Sequence, residues 1–216
     1  MAVIMYNGQP VETRGKSEDQ IKALKFFNEA GGCLAKNTSC EEYDALLAKK
    51  IAEMNSRKKA IDKIGLDEDE LKEIPPVHFC GYDFGSPYTA VGSDGRVRAS
   101  KFEETWLFFS ATQIYMYNVK FDLTSADKKE RTEEYFYKDV TNFSTTSDTV
   151  EVLDLSVSKK GCGGTKETAK RRTVESSMFA LIVPGDKFSC STYGSKAEEV
   201  EQSVKGMKAK LREKKQ

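Results

Sequence analysis

The stretch Lys101–Leu123, KFEETWLFFSATQIYMYNVKFDL, constrains the fold more than any other part of the chain. Aromatic and β-branched residues crowd it on both sides of Ser110-Ala111-Thr112, which predicts two strands joined by a tight turn. After the turn Tyr115, Tyr117, Val119, Phe121 and Leu123 fall at every second position, with Asn118, Lys120 and Asp122 between them. That is the period of a half-buried strand, so the polar set is expected to face water. Two such strands cannot bury their apolar face alone; the downstream sequence supplies further strands and one helix to cover it.

A chain of 216 residues allows one large domain or two small ones, and 38% apolar residues are enough for a core beneath a heavily charged surface. The 34 Lys and Arg balance the 34 Asp and Glu, which argues against general nucleic-acid affinity, since that rests on excess cationic charge against phosphate. No apolar run approaches the roughly 20 residues needed to cross a bilayer. The opening MAVIMY has no basic segment before it and is too short for a signal peptide, so a cytoplasmic location is expected. Five cysteines, with no C-x-x-C pair, read as unpaired thiols. With a single histidine, His78, a zinc centre is not expected, and no cofactor is indicated.

Residues 1–75 read as a loosely held arm followed by helices over about 17–30, 40–64 and 67–74. Ser17 with Gln20 and Ser39 with Glu42 fit the capping box, and Asp67 with Glu70 is a weaker version. Gly31-Gly32, Gly65 and Pro75-Pro76 mark the stops. Ile21, Leu24 and Phe27 share a face of the first helix, and Tyr43, Leu47, Ile51 and Met54 a face of the second. These faces are expected to dock on one another and on the strands that follow.

From Val77 the period becomes two, over seven segments at about 77–84, 102–110, 113–123, 132–138, 149–157, 172–183 and 186–192. Pro184-Gly185-Asp186 supplies the last hairpin turn. Ser195 with Glu198 starts a closing helix over about 195–214, whose Val200, Val204, Met207 and Leu211 make one apolar seam. Covering its own sheet is the favoured use of that seam, ahead of a coiled-coil dimer.

Seven antiparallel strands closed by one amphipathic helix resemble the pleckstrin-homology-like barrel in its bacterial and GRAM-type versions. The likeness covers about 77–214. It rests on WLFFSATQIYMYNV, on EEYFYKDVTNFS and on MFALIVPGDKFSCSTYGSKAEEVEQSVKGMKAKL. It implies an α+β chain: a barrel domain over 76–216 behind an appended helical region, non-enzymatic and acting by binding. Members bind lipid headgroups, peptides or proteins, and some assemble into rings. An unidentified protein is therefore the expected partner and anionic lipid the alternative; self-association is left open, and nucleic acid is not expected.

Two basic groups could take an anion. Arg96, Arg98 and Lys101 end the loop GSPYTAVGSDGRVRASK, and two-residue spacing puts the arginines on one face of a strand. Family members that bind phosphoinositides place cations here, although HFCGYDF lacks their accompanying lysine. Lys159, Lys160, Lys170, Arg171 and Arg172 lie in or beside SKKGCGGTKETAKRR, a mobile basic loop by composition. Cys162 lies among glycines in that loop, but no base adjoins it in sequence; His78, between apolar neighbours, reads as a packing residue. No catalytic residue is assigned.

Overall fold

The computed structural model describes residues 3–29, 37–66, 75–155 and 170–215. Three helices come first: α1 (Glu18–Phe26), α2 (Cys40–Met54) and α3 (Ser56–Ile64). Both expected capping boxes form, each serine accepting from the N3 amide while the N3 side chain reaches back. The expected single helix over 40–64 is broken at Asn55, which adopts a left-handed conformation (φ 44°, ψ 49°) that asparagine tolerates better than most residues. The helix expected over 67–74 lies outside the described residues.

A short hairpin, β1 (Met5–Tyr6) and β2 (Gln9–Pro10), precedes the helices. The main strands are β3 (Val77–Asp83), β4 (Thr89–Val91), β5 (Val97–Ala99), β6 (Lys101–Phe109), β7 (Gln113–Asp122), β8 (Lys128–Phe136), β9 (Asn142–Asp154), β10 (Lys170–Val183) and β11 (Asp186–Ser191). The fold is α+β and mostly antiparallel. The order β3-β6-β7-β8 forms a half-barrel sheet, and β11-β10-β9-β4-β5 forms the second sheet. The β6–β7 hairpin turns through residues 110–112 as expected, with the Ser110 amide donating to the Gln113 carbonyl at 3.0 Å. The stretch expected as a loop after β3 holds two further strands, β4 and β5, and β4 joins β9 in parallel through Ala90–Leu153 and Val91–Asp154.

Two apolar cores sandwich the strands β3, β6 and β7. On the outer face Phe102, Phe108, Tyr117, Val119 and Phe121 pack with Phe26, Phe27 and Tyr43 of the helical layer. On the inner face Phe79, Leu107, Ile114 and Met116 meet Phe143, Phe179, Leu181 and Phe188 of the second sheet. Val200, Val204, Met207 and Leu211 of α4 (Ala197–Lys214) are buried in this inner core, so the seam is used within the chain. Each such side chain stabilises the fold by roughly 1.5–3 kcal/mol. Ser195 does not cap this helix as expected. Its hydroxyl accepts from the Cys80 amide at 3.1 Å and donates to the Cys80 carbonyl, tying the start of α4 to β3.

Because both faces are covered, the expectation that Asn118, Lys120 and Asp122 face water is corrected: Asn118 and Asp122 are buried and Lys120 is half-buried. Gly81 lets β3 approach the chain after β11, since a Cβ there would sit 2.4 Å from the Ser191 hydroxyl and 2.7 Å from the Tyr193 nitrogen.

Candidate functional site

The described cations among those predicted fall in different surroundings. Arg98 is 2% exposed and bound in a bidentate pair to Asp44 of α2, at 2.7 Å through both Nε and Nη2. Its Nη1 and Nη2 also donate to Asp94 at 2.9 and 2.8 Å. Its donors are spent on holding the β4–β5 hairpin to α2, which corrects the expectation of an arginine pair on one face. Hydrogen bonding from Arg98 holds the Asp94 carboxyl well below the usual carboxylate range. Gly92 makes the room: a Cβ there would lie 2.8 Å from Nη1 of Arg98. Arg96 stands exposed at the hairpin tip, and Lys101 is half-buried in the ladder between Asp83 and Asp122.

Lys170, Arg171 and Arg172 occupy the first three positions of β10, so alternation splits them. Arg171 shares the face of Leu153, lies 3.8 Å from Glu151 and reaches Asn7 at 3.4 Å. Lys170 and Arg172 share the other face, that of Val152. The Arg96 hairpin tip lies at the same end of this sheet, since Val91 pairs with Asp154 and Asp154 with Lys170. Lys159, Lys160 and Cys162 lie outside the described residues.

Two polar clusters escape the sequence reading, one on each face of the four-stranded sheet. On the inner face Glu103, 1% exposed, accepts from Asn118 at 3.3 Å and from the Ser191 amide, and pairs with Lys120 at 3.3 Å. Burial raises the Glu103 pKa. Burial also opposes the charge of Lys120, but Glu103 and Asp83 outweigh it and hold that lysine up. The thiol of Cys190, in the same interior, is pushed well up by burial.

On the outer face Glu104 is 3% exposed; one oxygen lies 3.3 Å from Nε2 of His78, and the other is buried without a partner. The Tyr117 hydroxyl is likewise buried and unpartnered. Burial raises its pKa, and the charges of Glu130 and Glu104 add to the effect. His78 stacks on Trp106 at 4.1 Å, Trp106 donates to Ser56 of α3 at 2.9 Å, and Lys63 of α3 pairs with Glu130. Packing was expected for His78; its carboxylate partner was not. The signal available was Glu103-Glu104 inside an aromatic run, because consecutive strand residues point to opposite faces and at most one of them could reach water.

Chemically, this outer cluster offers an acceptor oxygen, a hydroxyl and an imidazole, the parts of a proton relay. Only His78 reaches the surface, so the two unpartnered oxygens suit a bridging water better than a substrate. A cleft of about 130 Å³ between α1, α2 and the end of β7 is lined by Asp19, Lys49, Lys50, Glu53 and Asp122. Its lysines are already paired, Lys49 with Asp19 at 2.7 Å and Lys50 with Glu53 at 3.7 Å, and Asp122 accepts from Thr124. Among the described residues no three His, Cys, Asp or Glu side chains converge as metal ligands would, and no helix is long and apolar enough to cross a membrane.

Comparison with known proteins found no family model, no curated protein and no solved structure that matches the chain.

Proposed function

We propose that this chain is a non-catalytic interaction module on a pleckstrin-like framework, working in the cytoplasm through protein contacts made by its outer surface. The observation that carries this reading is the inner core. The order β3-β6-β7-β8 followed by β9-β10-β11 and α4 brings Val200, Val204, Met207 and Leu211 together with Phe79, Ile114, Phe143 and Phe179. Side chains fill that space, and its buried Glu103 spends its oxygens on Asn118, Ser191 and Lys120. A substrate site is thus disfavoured there, and recognition falls to the surface.

A second reading, docking on anionic lipid, draws on Lys170 and Arg172 sharing one face near the Arg96 tip. Co-sedimentation with phosphatidylserine vesicles at low and high salt separates the two. The protein-contact reading expects no salt-sensitive binding. Binding that is lost at high salt and in the double variant Lys170→Glu, Arg172→Glu overturns it in favour of lipid.

A further inference from the structure

We infer that the open edge of β9 is a self-association surface on which a second copy of this chain pairs antiparallel through residues 144–148. The inference stands on the edge alone and does not depend on the reading above. β10 pairs with β9 from Asn142 to Asp154, whereas among the described residues the opposite edge is paired only by β4, at Leu153 and Asp154. The Leu155 amide donates to the Val91 carbonyl at 3.0 Å, so odd-numbered backbone groups point to the β4 side. Alternate residues of a strand point the same way, and the β9–β10 register runs without a bulge. Thr145, Ser147 and Thr149 therefore direct their N–H and C=O groups to the open edge. Consistent with this, the Thr149 amide takes the side chain of Asp148 as its acceptor at 2.8 Å. All of Thr145–Thr149 are exposed, on both faces.

The edge strand β8 is built differently. β8 carries Lys128, Lys129, Glu130, Arg131, Glu133 and Glu134 in nine residues, the charge pattern that keeps sheet edges apart. Ser144-Thr145-Thr146-Ser147-Asp148 has one charge and no proline. Its composition fits its own copy. With a two-fold axis at Thr146, outward-facing Thr145 and Ser147 exchange backbone bonds with Ser147 and Thr145 of the second copy. In that register Thr146 faces Thr146, and the Ser144 hydroxyl meets the Asp148 carboxylate, while the two aspartates stay four residues apart along the strands. Cross-strand Ser and Thr pairs are favourable, and like charges are not opposed.

Sedimentation equilibrium of the full chain, from micromolar to about millimolar, tests this. The expected result is a concentration-dependent monomer–dimer equilibrium. Ser147→Pro deletes an outward amide that β10 does not use, so it should keep the thermal midpoint and weaken association at least about tenfold. Ser147→Lys, which leaves the backbone intact, should also weaken it, with partial recovery in salt. A wild-type chain that stays monomeric to the top of the range overturns the inference. So does a dimer unaffected by either variant.

Discussion

Glu103 and Glu104 are consecutive on β6 and almost equally hidden, at 1% and 3% exposure, yet they face opposite sides of one sheet. Glu103 looks into the space between the sheets and has an ammonium, a side-chain amide and a backbone amide to receive it. Glu104 looks toward the helical layer, meets only an imidazole at 3.3 Å and keeps an oxygen without a partner. Depth of burial is the same, so the difference lies in the partners. A buried charge is tolerated where its lone pairs are taken, and its removal then strands the groups that took them.

The strongest way to break the comparison is to add a third carboxylate with no partner at all. Val204→Asp places one in the inner core, where a buried unpaired charge costs several kcal/mol in addition to the lost packing. Folded domains hold about 5–15 kcal/mol in total, so circular dichroism should find this variant largely unfolded at 25 °C. Glu103→Ala comes next. It leaves Lys120 with Asp83 alone and frees Asn118 and the Ser191 amide, and urea denaturation should register a loss of about 3–5 kcal/mol. Glu104→Gln removes a charge that has less to lose, and the same measurement should move by under about 1 kcal/mol. Equal costs for the two glutamate variants would refute the contrast.

Glu130, beside the Glu104 cluster, sharpens the point with pH. Hydrogen bonds from Lys63 and Lys128 lower its pKa to about 2 from the ordinary 4.5. A depressed carboxyl stabilises the fold above its unfolded value and loses that contribution as pH falls through the folded one. Stability should therefore drop between about pH 4.5 and 2, and Glu130→Gln should flatten that limb in acid-titrated melts. The smallest effect belongs to Lys205→Ala, whose pairing with Glu201 at 3.8 Å is fully in water: under about 0.5 kcal/mol.

The β6–β7 hairpin and the α4 seam are legible in the sequence because each follows from a local period that burial on one face enforces. The capping boxes at Ser17 and Ser39 are legible because they are complete within four residues. What is hidden depends on distant partners. Lys120 has the alternation of a surface residue, and only the second sheet behind it makes it interior. Arg98 resembles a free cation until Asp44, 54 residues away, meets it. Asn55 lies in an unbroken helical pattern, and its left-handed turn sends α3 over Trp106. The same blindness applies to Glu104, whose orphan oxygen arises only once the helical layer covers β6.

That cover is what hides the centre of the sheet: β6 and β7 are buried on both faces, with α3 lying over the outer one. Trp106 is the single tryptophan in the chain, and its indole N–H donates to Ser56 of α3 at 2.9 Å. Hydrogen exchange of this one indole proton, followed by nuclear magnetic resonance, measures the cover directly. Protection approaching that of the slowest backbone amides, reduced in Ser56→Ala, is the expected result. Exchange as fast as that of a free indole would show that the helices do not hold the outer face, and would contradict the account.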